Sequence, residues 1–205
     1  MIMRRMILGP LALTSLLVSG CTQPPADQIQ AAEKAVQEAQ QSGASTYTAD
    51  EYAKLEGTLA ALKKEVDDQD GKLALFRDYG KAEQLAASAK ADGERVKSET
   101  AKRKEEAKAA ALQAQQVAQA AVKSTWDLVA QAPVGKDRAA VEAIKTDAEA
   151  LKASLNQVQM ALDKEDYPGA QAQAKAIHDK SQAVSAEIQA ALAKVGKGVR
   201  LAKKR

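Results

Sequence analysis

Apolar residues along the chain recur at alternating steps of three and four, which is the spacing of a coiled-coil seam. The first run consists of Tyr52, Leu55, Leu59, Leu62, Val66, Gln69, Leu73 and Phe76. A second run follows about 89 residues later and consists of Val141, Ile144, Ala148, Leu151, Leu155, Val158 and Leu162. The pattern predicts two long amphipathic helices, each of which buries one stripe of side chains.

The mature part of the chain repeats itself around these two runs. Each run leads into a similar turn, Asp-Tyr-Gly-Lys-Ala from Asp78 and Asp-Tyr-Pro-Gly-Ala from Asp166. The positions after the turn also match, with Ala82, Ala86, Ala89, Gly93 and Val96 in the first copy and Ala170, Ala174, Ile177, Ser181 and Val184 in the second. A further amphipathic stretch precedes each run, so each copy predicts three helices.

Helix-capping residues mark the predicted boundaries. Asp78 and Asp166 are expected to cap the third helices, Thr48 with Glu51 forms a capping box, and Asp137 is a further cap. Between residues 80 and 132 there is no proline and only one internal glycine, which predicts one continuous helix of roughly 80 Å shared by both copies. Its middle, residues 97–108, carries no large apolar side chain, so it is either a solvent-bridging helix or a frayed linker.

The predicted fold is therefore all-α and elongated, with two tandem three-helix, coiled-coil-like units that share one long helix. Unit boundaries are placed at residues 27–105 and 106–195, with a basic tail at 196–205. The architecture is similar to that of spectrin-type repeats. The alanine-rich composition with Asp-Tyr at the turn resembles that of uncharacterised helical lipoproteins of bacterial envelopes.

The N-terminus carries the most specific motif. Arg4 and Arg5 precede an apolar run over residues 6–18, which is too short to span a bilayer. Val-Ser-Gly-Cys then ends at Cys21, the single cysteine, and resembles the lipobox of bacterial lipoproteins. The resemblance implies a signal peptide over residues 1–20, cleavage between Gly20 and Cys21, acylation of Cys21, and a linker over residues 21–26. The alternative is an ordinary secretory signal with an incidental cysteine near the cleavage point. Thr22, where an aspartate would imply inner-membrane retention, implies sorting to the periplasmic face of the outer membrane.

Composition argues against an enzyme. Aromatic residues make up only 3% of the chain, and the charges of the mature part nearly balance, so neither a deep pocket nor nucleic-acid binding is expected. His178 is the only histidine, which leaves no metal site, and Ser181 one turn away is not expected to form a catalytic triad with it. Tyr79, Tyr167 and Trp126 are expected to pack in the core rather than to bind a ligand. No cofactor is predicted.

Positive charge is concentrated at the C-terminal end of the sequence. Six basic residues and no acid occur there, namely Lys194, Lys197, Arg200, Lys203, Lys204 and Arg205. We expect a helix end near residue 195 followed by a flexible tail, which is either simply solvated or contacts anionic lipid or peptidoglycan.

The sequence thus predicts a membrane-anchored periplasmic lipoprotein with a structural, scaffold or tether role. One alternative is an adaptor that binds an envelope protein through a partly filled seam in the alanine-rich third helix of the first copy. The other is lipid or small-ligand binding in a cavity between helices, lined by leucine, valine and Trp126.

Overall fold

The computed structural model describes residues 23–131 and 138–202, with side chains placed for residues 23–131 and 142–193. The lipobox, the expected cap Asp137 and the last three basic residues lie outside these ranges. The described backbone is helical and contains no strand, which confirms the all-α prediction. Its helices are α1 (Ala26–Gln41), α2 (Ala44–Tyr47), α3 (Ala49–Asp70), a 3-10 turn (Ala74–Phe76), α4 (Gly80–Ala130), α5 (Arg138–Asp163) and α6 (Tyr167–Ala202).

The chain forms two compact units, and the boundary between them falls within α4. Unit one contains the described residues through Ser45 together with Ala49–Lys97, and unit two contains Thr46–Thr48 and the described residues from Ser98 onward. Each unit therefore has three main helices, and α4 supplies one helix to both. The 51 residues of α4 run without interruption through positions 97–108, so the predicted shared helix is confirmed.

Half of the core residues of unit one are alanines, and two of its helices approach each other closely. A β-carbon added at Gly93 would lie 2.8 Å from the Cβ of Ala35 and 3.0 Å from its carbonyl carbon, so α4 and α1 are in near backbone contact there. The alanine face of α4 is buried within the unit, and the core contains Ala32, Val36, Ala39, Ala44, Tyr52, Leu55, Leu62, Tyr79, Ala82, Ala86, Ala89 and Val96.

The core of unit two contains apolar side chains and several buried hydroxyl groups. Trp126 packs against a cluster that contains Val122, Val129, Leu151, Val158, Tyr167, Ile177, Val184 and Ile188. The Thr48 and Thr100 hydroxyls are fully buried and lie 2.7 Å apart, while Thr125 lies 2.9 Å from the Ser185 hydroxyl. Tyr79 and Tyr167 are buried and Trp126 is partly buried against the core of unit two, which confirms that these aromatics pack in the cores.

Capping geometry explains where the helices begin and end. The Asp78 carboxylate accepts a 2.9 Å hydrogen bond from the Gly80 amide, and that of Asp166 accepts a 3.0 Å bond from the Gly169 amide. Both carboxylates therefore satisfy amides that a helix start leaves unpaired. After α1, Gly43 takes a left-handed φ of 94° that suits glycine.

Two local predictions are wrong. The seam of the first run does not continue through Leu73 and Phe76, because α3 ends at Asp70 and both side chains are exposed. The expected helix end near residue 195 is also absent, because α6 continues to Ala202. A glycine in a helix costs only about 1 kcal/mol and no proline follows Gly196, so the two glycines there do not stop the helix.

Candidate functional site

The turn between α3 and α4 presents the most exposed large apolar side chains among the described residues. Leu73, Leu75 and Phe76 are 76%, 90% and 69% exposed, and they lie in or beside the 3-10 turn. Isolated apolar residues on a surface need no explanation, but three within four positions form a patch. We call these three residues the apolar turn.

Polar contacts hold the apolar turn in a defined conformation. The Arg77 guanidinium donates to the backbone carbonyls of Lys72 and Asp70, at 3.0 and 2.9 Å. It also lies 4.0 Å from the Asp70 carboxylate. The Phe76 amide donates to the Leu73 carbonyl at 2.8 Å and closes the 3-10 turn. The outward position of the apolar side chains is therefore part of an ordered structure.

Gln69 links the two sides of this turn. Its side-chain oxygen accepts a 3.0 Å hydrogen bond from the Asp78 amide and a 2.9 Å bond from the Lys72 ammonium. The buried Tyr79 side chain donates its hydroxyl to the Asp70 carboxylate, which raises the pKa of Tyr79 above its ordinary value. The end of α3 and the start of α4 are thus tied together beneath the exposed residues.

The corresponding turn of unit two is built differently. There α5 continues to Asp163, and only residues 164–166 separate it from α6, with Glu165 at a left-handed φ of 58°. Leu162, which matches Leu73 in the repeat, is partly buried against the unit-two core. The matching leucine is therefore partly covered in unit two, and the exposure of Leu73 is a feature of unit one alone.

A second feature is a groove between α4 and α6 in unit two. Two adjoining hollows of about 500 and 280 Å³ share Val117 and His178 in their lining. Small and polar side chains make up the rest of the wider hollow, namely Ala120, Ala121, Ser124, Ser181, Gln182, Ser185, Ala186 and Gln189. Neither a leucine nor Trp126 lines these two hollows, so they differ from the cavity expected for ligand binding.

His178 and Ser181 do not form a catalytic pair in this groove. The ring nitrogens of His178 lie 3.2 Å from the Asp179 carboxylate and 3.2 Å from the Gln182 amide. Ser181 is 1% exposed, and its hydroxyl has no hydrogen-bond partner among the described atoms. A nucleophilic serine needs a base within hydrogen-bond reach, and the arrangement of these contacts supplies none.

The remaining predicted site residues lie at the two ends of the chain. Gly20 and Cys21 fall outside the described residues, as do the basic residues from position 203 onward. Lys194, Lys197 and Arg200 belong to the last turns of α6. Over the described residues, no helix has the length and apolarity needed to cross a membrane.

The apolar turn is a candidate surface that the sequence interpretation missed. The signal was present, because Leu75 and Phe76 are adjacent and cannot both lie on a seam with steps of three and four. Comparison with known proteins gave no match to a family model, a curated protein or a solved structure.

Proposed function

We propose that the protein is a lipid-anchored helical lipoprotein of the bacterial cell envelope and that it acts as a scaffold or tether. The observation that supports this is the position of the first helix relative to the lipobox. Helix α1 begins at Ala26, five residues after Cys21, and its Ala32, Ala35, Val36 and Ala39 are buried in the core of unit one. The folded domain thus starts directly behind the anchoring residue.

The short connection determines how the anchor works. Five extended residues span at most ~18 Å, so acyl chains on Cys21 would keep the start of α1 close to the bilayer surface. A multiply acylated residue is a stable anchor, because each buried methylene contributes about 0.8 kcal/mol. The rest of the surface of the helical units would then be accessible to partners in the periplasm, next to the outer membrane.

The basic C-terminus supplies the second contact of the proposed tether. Lys194, Lys197 and Arg200 extend α6. Because these residues belong to a helix, their backbone positions are set at a rise of about 1.5 Å per residue, unlike those of a random tail. Each basic residue near an anionic surface contributes about 1 kcal/mol, and peptidoglycan or an envelope protein would provide that surface.

Lipidation is tested by intact-mass and N-terminal peptide spectrometry of the chain purified from bacterial membranes. We expect a chain that starts at Cys21 and carries diacylglycerol, while Cys21→Ala leaves the signal peptide uncut. An unmodified chain that still starts at Met1 would refute the anchor.

The tether is tested by co-sedimentation with purified cell wall. Replacement of the six basic residues by glutamine retains good helix formers and removes the charge. We expect this variant to sediment less than the wild type and to regain no binding at low salt. Equal sedimentation of both proteins would exclude the tail as the contact and would leave the anchor unaffected.

A further inference from the structure

We propose that the apolar turn of unit one seats in the same bilayer that holds the acyl chains of Cys21. This inference rests on the proposed lipid anchor and extends it from one attachment point to two. It requires that the apolar turn and the start of α1 lie at the same end of unit one, that the turn is not used by the core, and that its charges suit a membrane surface.

Contacts between α1 and α4 show that both helices begin at the same end of unit one. Asp27 and Gln28 share a groove with Ala86 and Lys90, near the start of α4. Further along, Ala35 meets Gly93, and the Glu38 carboxylate accepts a 2.8 Å bond from the Lys97 ammonium. Since the contacts advance together along both helices, α1 and α4 are parallel.

The same logic places the apolar turn. It directly precedes α4, and the Lys81 ammonium on the first turn of α4 lies 2.6 Å from the Glu65 carboxylate near the end of α3. The beginning of α1, the end of α3 and the beginning of α4 therefore meet at one end of unit one. The linker to Cys21 leaves from that end, so at most ~18 Å separates the anchor from α1.

The turn is not required by the core. Its three apolar side chains are largely exposed, whereas the matching Leu162 of unit two is partly buried. The polar contacts of Arg77 and Gln69 hold the turn in place without covering it. The apolar face of an interfacial helix lies about 5–10 Å into the boundary between headgroups and acyl chains, and we place the exposed side chains of the turn in the same region.

Charge at this end indicates a neutral lipid surface rather than an anionic one. The cations near the turn do not outnumber the acids. Lys72 donates to the uncharged Gln69 side chain, while Asp67 and Asp78 add negative charge to this segment. Lys64 pairs with Asp68 at 2.6 Å, Arg77 with Asp70 at 4.0 Å, and Lys81 with Glu65 at 2.6 Å. With no cationic excess there, seating should depend on apolar contact and on the nearby anchor.

A fluorescent label at Leu75→Cys tests the seat in lipidated, mature protein reconstituted into phosphatidylcholine vesicles. Acylation occupies the Cys21 thiol, so the introduced cysteine is the one free thiol. Ser45→Cys, in the opposite turn of unit one, is the matched control. We expect a blue-shifted emission and loss of fluorescence with nitroxide-bearing lipids at position 75 and neither change at position 45, with or without added anionic lipid.

A second variant separates seating from mere proximity. Leu73→Gln with Phe76→Gln in the labelled protein should abolish both the shift and the quenching. If this variant is quenched like its parent, or if the label at position 75 stays in water while the protein floats with vesicles, the seat is overturned and the anchor stands. A turn covered by a protein partner would give the latter result. Failure of the lipidated protein to float would overturn the anchor itself and the seat with it.

Discussion

Two glycine-to-alanine substitutions in unit one should have opposite effects on stability. Gly93 faces Ala35 in a position where a β-carbon would approach to 2.8 Å, and two of its three nearest atoms would be backbone atoms of Ala35. Backbone cannot rotate away as a side-chain end can, so α1 would have to shift. Gly57, an exposed residue inside α3, has nothing within 4 Å of its added β-carbon.

The magnitude follows from two terms. Alanine is favoured over glycine inside a helix by about 1 kcal/mol, and this term is common to both positions. Overpacking a close contact costs about 1–3 kcal/mol, and this term applies only at Gly93. Gly57→Ala should therefore raise the free energy of unfolding by up to about 1 kcal/mol. Gly93→Ala should lower it by as much as about 2 kcal/mol, and the difference between the two variants measures the steric term alone.

Denaturant unfolding followed by far-ultraviolet circular dichroism measures both variants in the chain that lacks the signal peptide. Trp126, the single tryptophan, belongs to unit two and reports that unit separately by fluorescence. A Gly93→Ala protein as stable as the Gly57→Ala protein would refute the close approach of α1 and α4.

Three further outcomes test polar contacts. Ser181→Ala should leave stability unchanged or raise it by about 1 kcal/mol in denaturant unfolding, because its buried hydroxyl has no partner; a clear loss would mean that the hydroxyl is hydrogen-bonded. Thr100→Val should lower the free energy of unfolding by about 1 kcal/mol, because it removes a buried hydrogen-bond partner of Thr48. In a double-mutant cycle with Thr48→Val, the two losses of stability should not add. Strict additivity would argue against the contact. The hydrogen bond from the Lys81 ammonium lowers the pKa of Glu65. The ionised Glu65 therefore stabilises the folded state above the ordinary glutamate pKa, and this stabilisation is lost as the pH falls through the lowered pKa. Lys81→Met should therefore flatten the acid limb of a stability–pH profile, and an unchanged limb would contradict the assignment.

The helices themselves were predictable because periodicity and capping act locally. The seam residues Leu55 and Leu62 are buried, and Asp78 and Asp166 cap the helices that they precede. The continuity of α4 followed from the absence of proline and the small cost of one glycine. Such features depend on neighbouring residues in the chain, which a sequence displays directly.

The periodicity concealed part of the apolar turn, because a seam with steps of three and four can be drawn through Leu73 and Phe76 and leaves only the adjacent Leu75 off the seam. In the structure α3 ends at Asp70, and Arg77 reaches back to the carbonyls of Asp70 and Lys72. That contact competes with another turn of helix, and the outcome is a balance of small free energies. The close approach at Gly93 could not be predicted either, since a single glycine in a sequence does not show which residue packs against it.

Gln69 occupies a seam position and bonds to the Asp78 amide instead of packing as an apolar residue. Of the eight positions in the first run, six lie in α3 and the last two fall beyond it. A polar side chain at this seam position therefore ties the end of α3 to the start of α4, and the two apolar seam residues that follow it lie outside the core. For protein design, the combination shows that apolar residues in register with a buried seam can face outward when a hydrogen bond to a glutamine side chain joins the two helices beneath them.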